Sequence, residues 1–121
     1  MTKIKKVIPS KISIGGQDIV VEFVDRLQGS LQLGECSATG SYIKIATNTE
    51  QIPQHKQSQR NTFWHEVIHL ILDNMEEYKL SQSEKFVQCF SSLLTEMTKN
   101  CVFLEDDKKG GMTHEEFVKQ D

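Results

Sequence analysis

Apolar and polar residues alternate from Lys11 to Val24, with Ile12 and Ile14 before Gly15-Gly16 and Ile19, Val21 and Phe23 after it. A period of two predicts strands, and Gly-Gly between two such runs predicts a hairpin turn. From Arg26 to Ser41 the chain is rich in Gly, Ser and Gln, and the Leu31/Leu33 alternation predicts at most a brief strand. Tyr42 to Ala46 alternates again, with Lys44 outward, and is expected to be a strand. Thr47 to Gln59 is polar, contains Pro53, and reads as a loop or the first turn of a helix.

The period then changes. From about Ser58 to Met75, Phe63, Val67, Ile68, Leu70, Ile71, Leu72 and Met75 cover well over half of a helical wheel, which predicts a buried helix. His65 and His69 occupy the remaining sector, with Glu76 close by and Glu66 and Asp73 at its margin. After a short turn, Val87, Phe90, Leu94, Met97 and Cys101 recur at three- and four-residue intervals. They predict a second helix from about Ser81 to Asn100. Strands followed by helices indicate an α+β domain, a small antiparallel or mixed sheet packed on two long helices.

The 121-residue length allows one domain with one core, here expected over about residues 11–104, with 105–121 as a polar tail. A formal net charge of -3 and the absence of a Lys/Arg stripe argue against nucleic-acid binding. No run approaches the ~18 apolar residues of a membrane span, and no apolar segment of a signal peptide precedes Pro9. Cys36, Cys89 and Cys101 form no close pair and are expected to be small buried hydrophobes in a cytoplasmic protein.

The helix carries His65-Glu66-Val67-Ile68-His69. Residues four apart stand one turn above each other, so both imidazoles reach one ion. Two His and a Glu on an otherwise apolar helix are costly to bury without a shared partner. This spacing predicts Zn2+ on His65 and His69, with Glu66 beside it as a general base for hydrolysis. The metzincin pattern is excluded, because Leu72 and Met75 stand where its Gly and third His belong. The third ligand is therefore a downstream carboxylate or His114. Glu84 sits one turn before Val87 on the second helix, but Ser81-Gln82-Ser83-Glu84 also fits a capping box. Asp73, Glu76 and Glu77 are weaker candidates, more suited to solvent or to supporting a ligand.

The segment Thr62-Phe63-Trp64-His65-Glu66-Val67-Ile68-His69-Leu70-Ile71-Leu72 resembles the active-site helix of ImmA/IrrE-type zinc metallopeptidases, and small phage and prophage proteins with that signature. Glu84 to Leu94 is similar to that family's second helix, where a Glu ahead of a Phe-small-small-x-Leu pattern supplies the third zinc ligand. The resemblance spans roughly residues 40 to 100 and implies a zincin-like fold, peptide-bond hydrolysis, a protein or peptide substrate, and Glu84 as ligand. It also implies a cytosolic, phage-type regulatory setting. The chain departs from the pattern at Leu70, at Val87-Gln88 and at Thr95-Glu96. A non-catalytic zinc-binding interaction module is the alternative.

Two further features need no functional role. Glu105 to Phe117 has a partial calcium-loop spacing, but Lys109 stands at a ligand position, so a Gly turn and a short helix capped by Thr113 and Glu116 are expected. Phe63 and Trp64 read as core aromatics, and His55 as an exposed loop residue.

Overall fold

The computed structural model describes residues 8–28, 32–49, 52–102 and 104. Strands β1 (Lys11–Ile14) and β2 (Gln17–Val24) pair as an antiparallel hairpin. Gly15 and Gly16 close it with φ of 61° and 80°. Two consecutive positive φ angles are what a tight turn of this hand needs, and glycine adopts them without a Cβ clash.

Strand β3 (Gly34–Ser37) pairs antiparallel with β4 (Tyr42–Ala46), and β4 lies parallel to β2. The sheet order is β1-β2-β4-β3, so the sheet is mixed. The expected Leu31/Leu33 strand forms one step later: Leu33 precedes β3, and Leu31 lies outside the described residues. The polar stretch before the first helix holds a two-stranded ribbon, β5 (Asn48–Thr49) with β6 (Ile52–Pro53). Helices α1 (Lys56–Asn74), α2 (Tyr78–Ser81) and α3 (Glu84–Asn100) follow. Among the described residues the architecture is α+β, with the two expected long helices and a short α2 that fills the turn between them. No helix among the described residues is long and apolar enough to cross a membrane.

One face of the sheet packs on α1. Ile19 and Val21 of β2 and Ile43 and Ile45 of β4 meet Phe63, Val67 and Leu70, with Trp64 partly buried against them. Phe63 and Trp64 stack edge-on at 5.3 Å between ring centroids. The alternation does not bury Phe23, which is 48% exposed near the end of β2. Ile68 and Leu72 turn to a second cluster with Val87 of α3.

Helix α3 is rotated from the expectation. Val87, Ser91 and Thr95 are its buried residues, while Phe90 and Met97 are 43% and 57% exposed. Residues 87, 91 and 95, spaced four apart, form one stripe, and small side chains on it let two helices approach closely. Thr95 satisfies its hydroxyl by donating to the Ser91 carbonyl at 2.7 Å. Likewise α1 is not buried around its whole apolar arc, since Ile71 and Met75 face outward. The cysteines also differ from the expectation: Cys36 is half-buried, and Cys89 and Cys101 are exposed.

Candidate metal centre

The register that presses Phe63, Val67 and Leu70 onto the sheet leaves His65 and His69 on the side of α1 facing the α2–α3 turn. Their rings lie 4.9 Å apart between centroids. Past the end of α1, Glu76 adopts a left-handed φ of 63°, and the chain turns back through α2. Ser83 then caps α3, its hydroxyl accepting a hydrogen bond from the Phe86 amide at 3.2 Å.

That cap separates two readings the sequence left open. The capping residue is Ser83, not Ser81, and Glu84 is the first residue of α3. Its carboxylate reaches across to α1, with Oε1 3.3 Å from His65 Nε2 and Oε2 3.7 Å from His69 Nε2. Ser81 belongs to α2 and is buried.

The donor set fits a metal ion. One atom from each of His65, His69 and Glu84 lies within 4.8 Å of the others. Two donors on a tetrahedral ion bound at about 2.0–2.1 Å stand about 3.4 Å apart, close to both nitrogen–oxygen distances. Two imidazole nitrogens and one carboxylate oxygen are ligands that zinc accepts. Both histidine side chains are 18% exposed and that of Glu84 is 71% exposed, so solvent reaches the cluster. Asp73, Glu76 and Glu77 are not part of this group among the described residues. His114, Thr113, Glu116 and the Gly110-Gly111 segment lie outside them.

Glu66 is buried, 8% exposed, and borders a cleft of about 210 Å³ lined by Leu33, Gly34, Asn61, Thr62, His65 and Gln88. Burial pushes its carboxyl above the ordinary range and Glu84 adds to the rise, while Cys36 and the two histidines pull it down. A carboxyl raised in this way takes up a proton more readily than a free one. The Cys36 thiol beside it is pushed up, first by burial and then by the Glu66 charge.

Sequence reasoning passed over four neighbours of the site. Gln88 Oε1 lies 3.1 Å from His65 Nδ1, and Ser81 Oγ lies 3.0 Å from His69 Nδ1. Gly34 and Cys36 of β3 border Glu66. Only Gln88 left a signal, since it stands four residues after Glu84 and so on the same side of α3. The contacts from β3 depend on sheet packing that no local pattern encodes. No protein-family model, curated protein or solved structure matches the chain.

Proposed function

We propose that the protein is a zinc-dependent metallopeptidase of the ImmA/IrrE type, with a zincin-like active-site helix. The observation that carries the reading is the convergence of His65, His69 and Glu84 beside the buried Glu66. A closed structural site has no use for a carboxylate adjacent to its first ligand, whereas hydrolysis needs one.

His65, His69 and Glu84 would hold the ion. Zinc, when bound, supplies Lewis acidity that polarises a carbonyl and makes water a stronger acid. Glu66 takes the proton from the attacking water and passes it to the leaving nitrogen as the C–N bond breaks. Burial keeps this carboxyl ready for the proton, because the charged form is poorly solvated there. The substrate class is a protein or peptide, and the resemblance to phage and prophage proteins supports a cytosolic regulatory role.

Zinc content and peptide hydrolysis test the proposal together. His65→Ala, His69→Ala and Glu84→Ala are expected to lose stoichiometric zinc, while Glu66→Gln keeps zinc and loses turnover by about 10²–10⁴-fold. Full zinc binding by Glu84→Ala would remove Glu84 from the ligand set. Equal hydrolysis by wild type and Glu66→Gln would leave a zinc-binding interaction module as the better reading.

A further inference from the structure

We infer that Gln88 is a positioning residue that selects the tautomer of His65 and keeps its Nε2 open toward the metal. The inference rests on the metal-centre reading above. Gln88 Oε1 lies 3.1 Å from His65 Nδ1, and the amide's other end, Nε2, donates to Ser92 Oγ at 3.4 Å. An amide oxygen only accepts, so the neutral imidazole must carry its proton on Nδ1 to bond it. The lone pair is then on Nε2, which faces Glu84 Oε1 at 3.3 Å.

Glu84 competes for the same proton. Its carboxylate is also acceptor-only, and an Nε2–H tautomer would place its proton beside that carboxylate. That tautomer closes the ion's binding position, because a protonated nitrogen has no lone pair to give. Gln88 meets Nδ1 in hydrogen-bonding geometry at 3.1 Å, whereas the Glu84 approach at 3.3 Å is an ion-pair contact only. Gln88 therefore tips the choice toward Nδ1–H and leaves Nε2 and Glu84 as neighbouring lone-pair donors. Ser81 does not decide the matter for His69 in the same way. Its hydroxyl both donates and accepts, and so tolerates either tautomer at the 3.0 Å contact.

Position 88 is exposed on α3, so substitution there leaves the core alone. Gln88→Leu removes the acceptor at similar size, and Gln88→Glu restores one. The first readout is long-range ¹⁵N–¹H NMR of the imidazoles in metal-free protein, at a pH where they are neutral. Wild type and Gln88→Glu are expected to show His65 as Nδ1–H, and Gln88→Leu to shift it toward Nε2–H. The second readout is zinc affinity by chelator competition, expected to fall about 10–100-fold in Gln88→Leu and to recover in Gln88→Glu. An Nε2–H tautomer in wild type, or unchanged tautomer and zinc affinity in Gln88→Leu, overturns the role of Gln88. A wild type that binds no zinc overturns the metal-centre reading itself, a separate result.

Discussion

Replacing Gly34 by Ala puts one methyl group where β3 crosses α1 beside Glu66. A Cβ built at Gly34 falls 2.5 Å from Thr62 Cγ2, 3.1 Å from Glu66 Oε2 and 3.2 Å from Glu66 Cγ. Ordinary carbon–carbon contact begins near 3.5 Å, so strand and helix must part by about 1 Å or Thr62 must leave its rotamer. Thr62 is 7% exposed and β-branched, so it has little freedom to turn away. Overpacking of this kind costs about 1–3 kcal/mol. For a chain of this size each kcal/mol lowers Tm by roughly 4 °C, so Gly34→Ala is expected to melt about 4–12 °C below wild type. Urea unfolding checks it, with the midpoint falling and the slope unchanged. Gly16→Ala is the control: its Cβ meets nothing within 4 Å, and only the left-handed φ resists it, at roughly 1–2 kcal/mol. A Gly34→Ala protein that melts within a degree or two of wild type would refute the close approach of β3 to the Glu66 helix.

Other consequences follow from the cap and from Glu66. Ser83→Ala should cost about 1 kcal/mol by removing the hydroxyl that accepts from the Phe86 amide; a silent Ser83→Ala would contradict the cap assignment. In metal-free protein the raised Glu66 carboxyl gives a signed pH effect. The folded state holds the proton to higher pH than the unfolded chain, so this contribution to stability is complete below the ordinary value of 4.5 and is lost as pH rises through the folded value. Glu66→Gln removes that loss. Its melting temperature should exceed that of wild type at neutral pH and converge on it toward pH 4, and a constant gap across that range would contradict the burial of this charge.

Much of the candidate site was legible along the chain because its core is local. His65, Glu66 and His69 lie on one helix, and helical geometry alone brings the two imidazoles to one side. The Gly15-Gly16 hairpin, the Tyr42–Ala46 strand and both long helices were legible for the same reason, since each follows from a short-range period. Local pattern failed where two elements share a boundary or a face. The capping-box pattern put the cap at Ser81, but Ser81 lies inside α2 and Ser83 caps α3 instead.

The rotation of α3 was not legible either. Hydrophobicity favours burying Phe90 and Met97, yet the helix buries Val87, Ser91 and Thr95. That small-residue stripe brings α3 close to α1, and the same rotation aims Glu84 and Gln88 at the histidines. The sequence by itself therefore determined the α+β class and the His-Glu-x-x-His helix, through periods that one element carries alone. Tertiary structure decided that Glu84 faces His65 and His69, that Gln88 meets His65, and that β3 closes over Glu66. Each of these depends on the relative placement of elements distant in the chain, which packing sets and no single stretch of residues encodes.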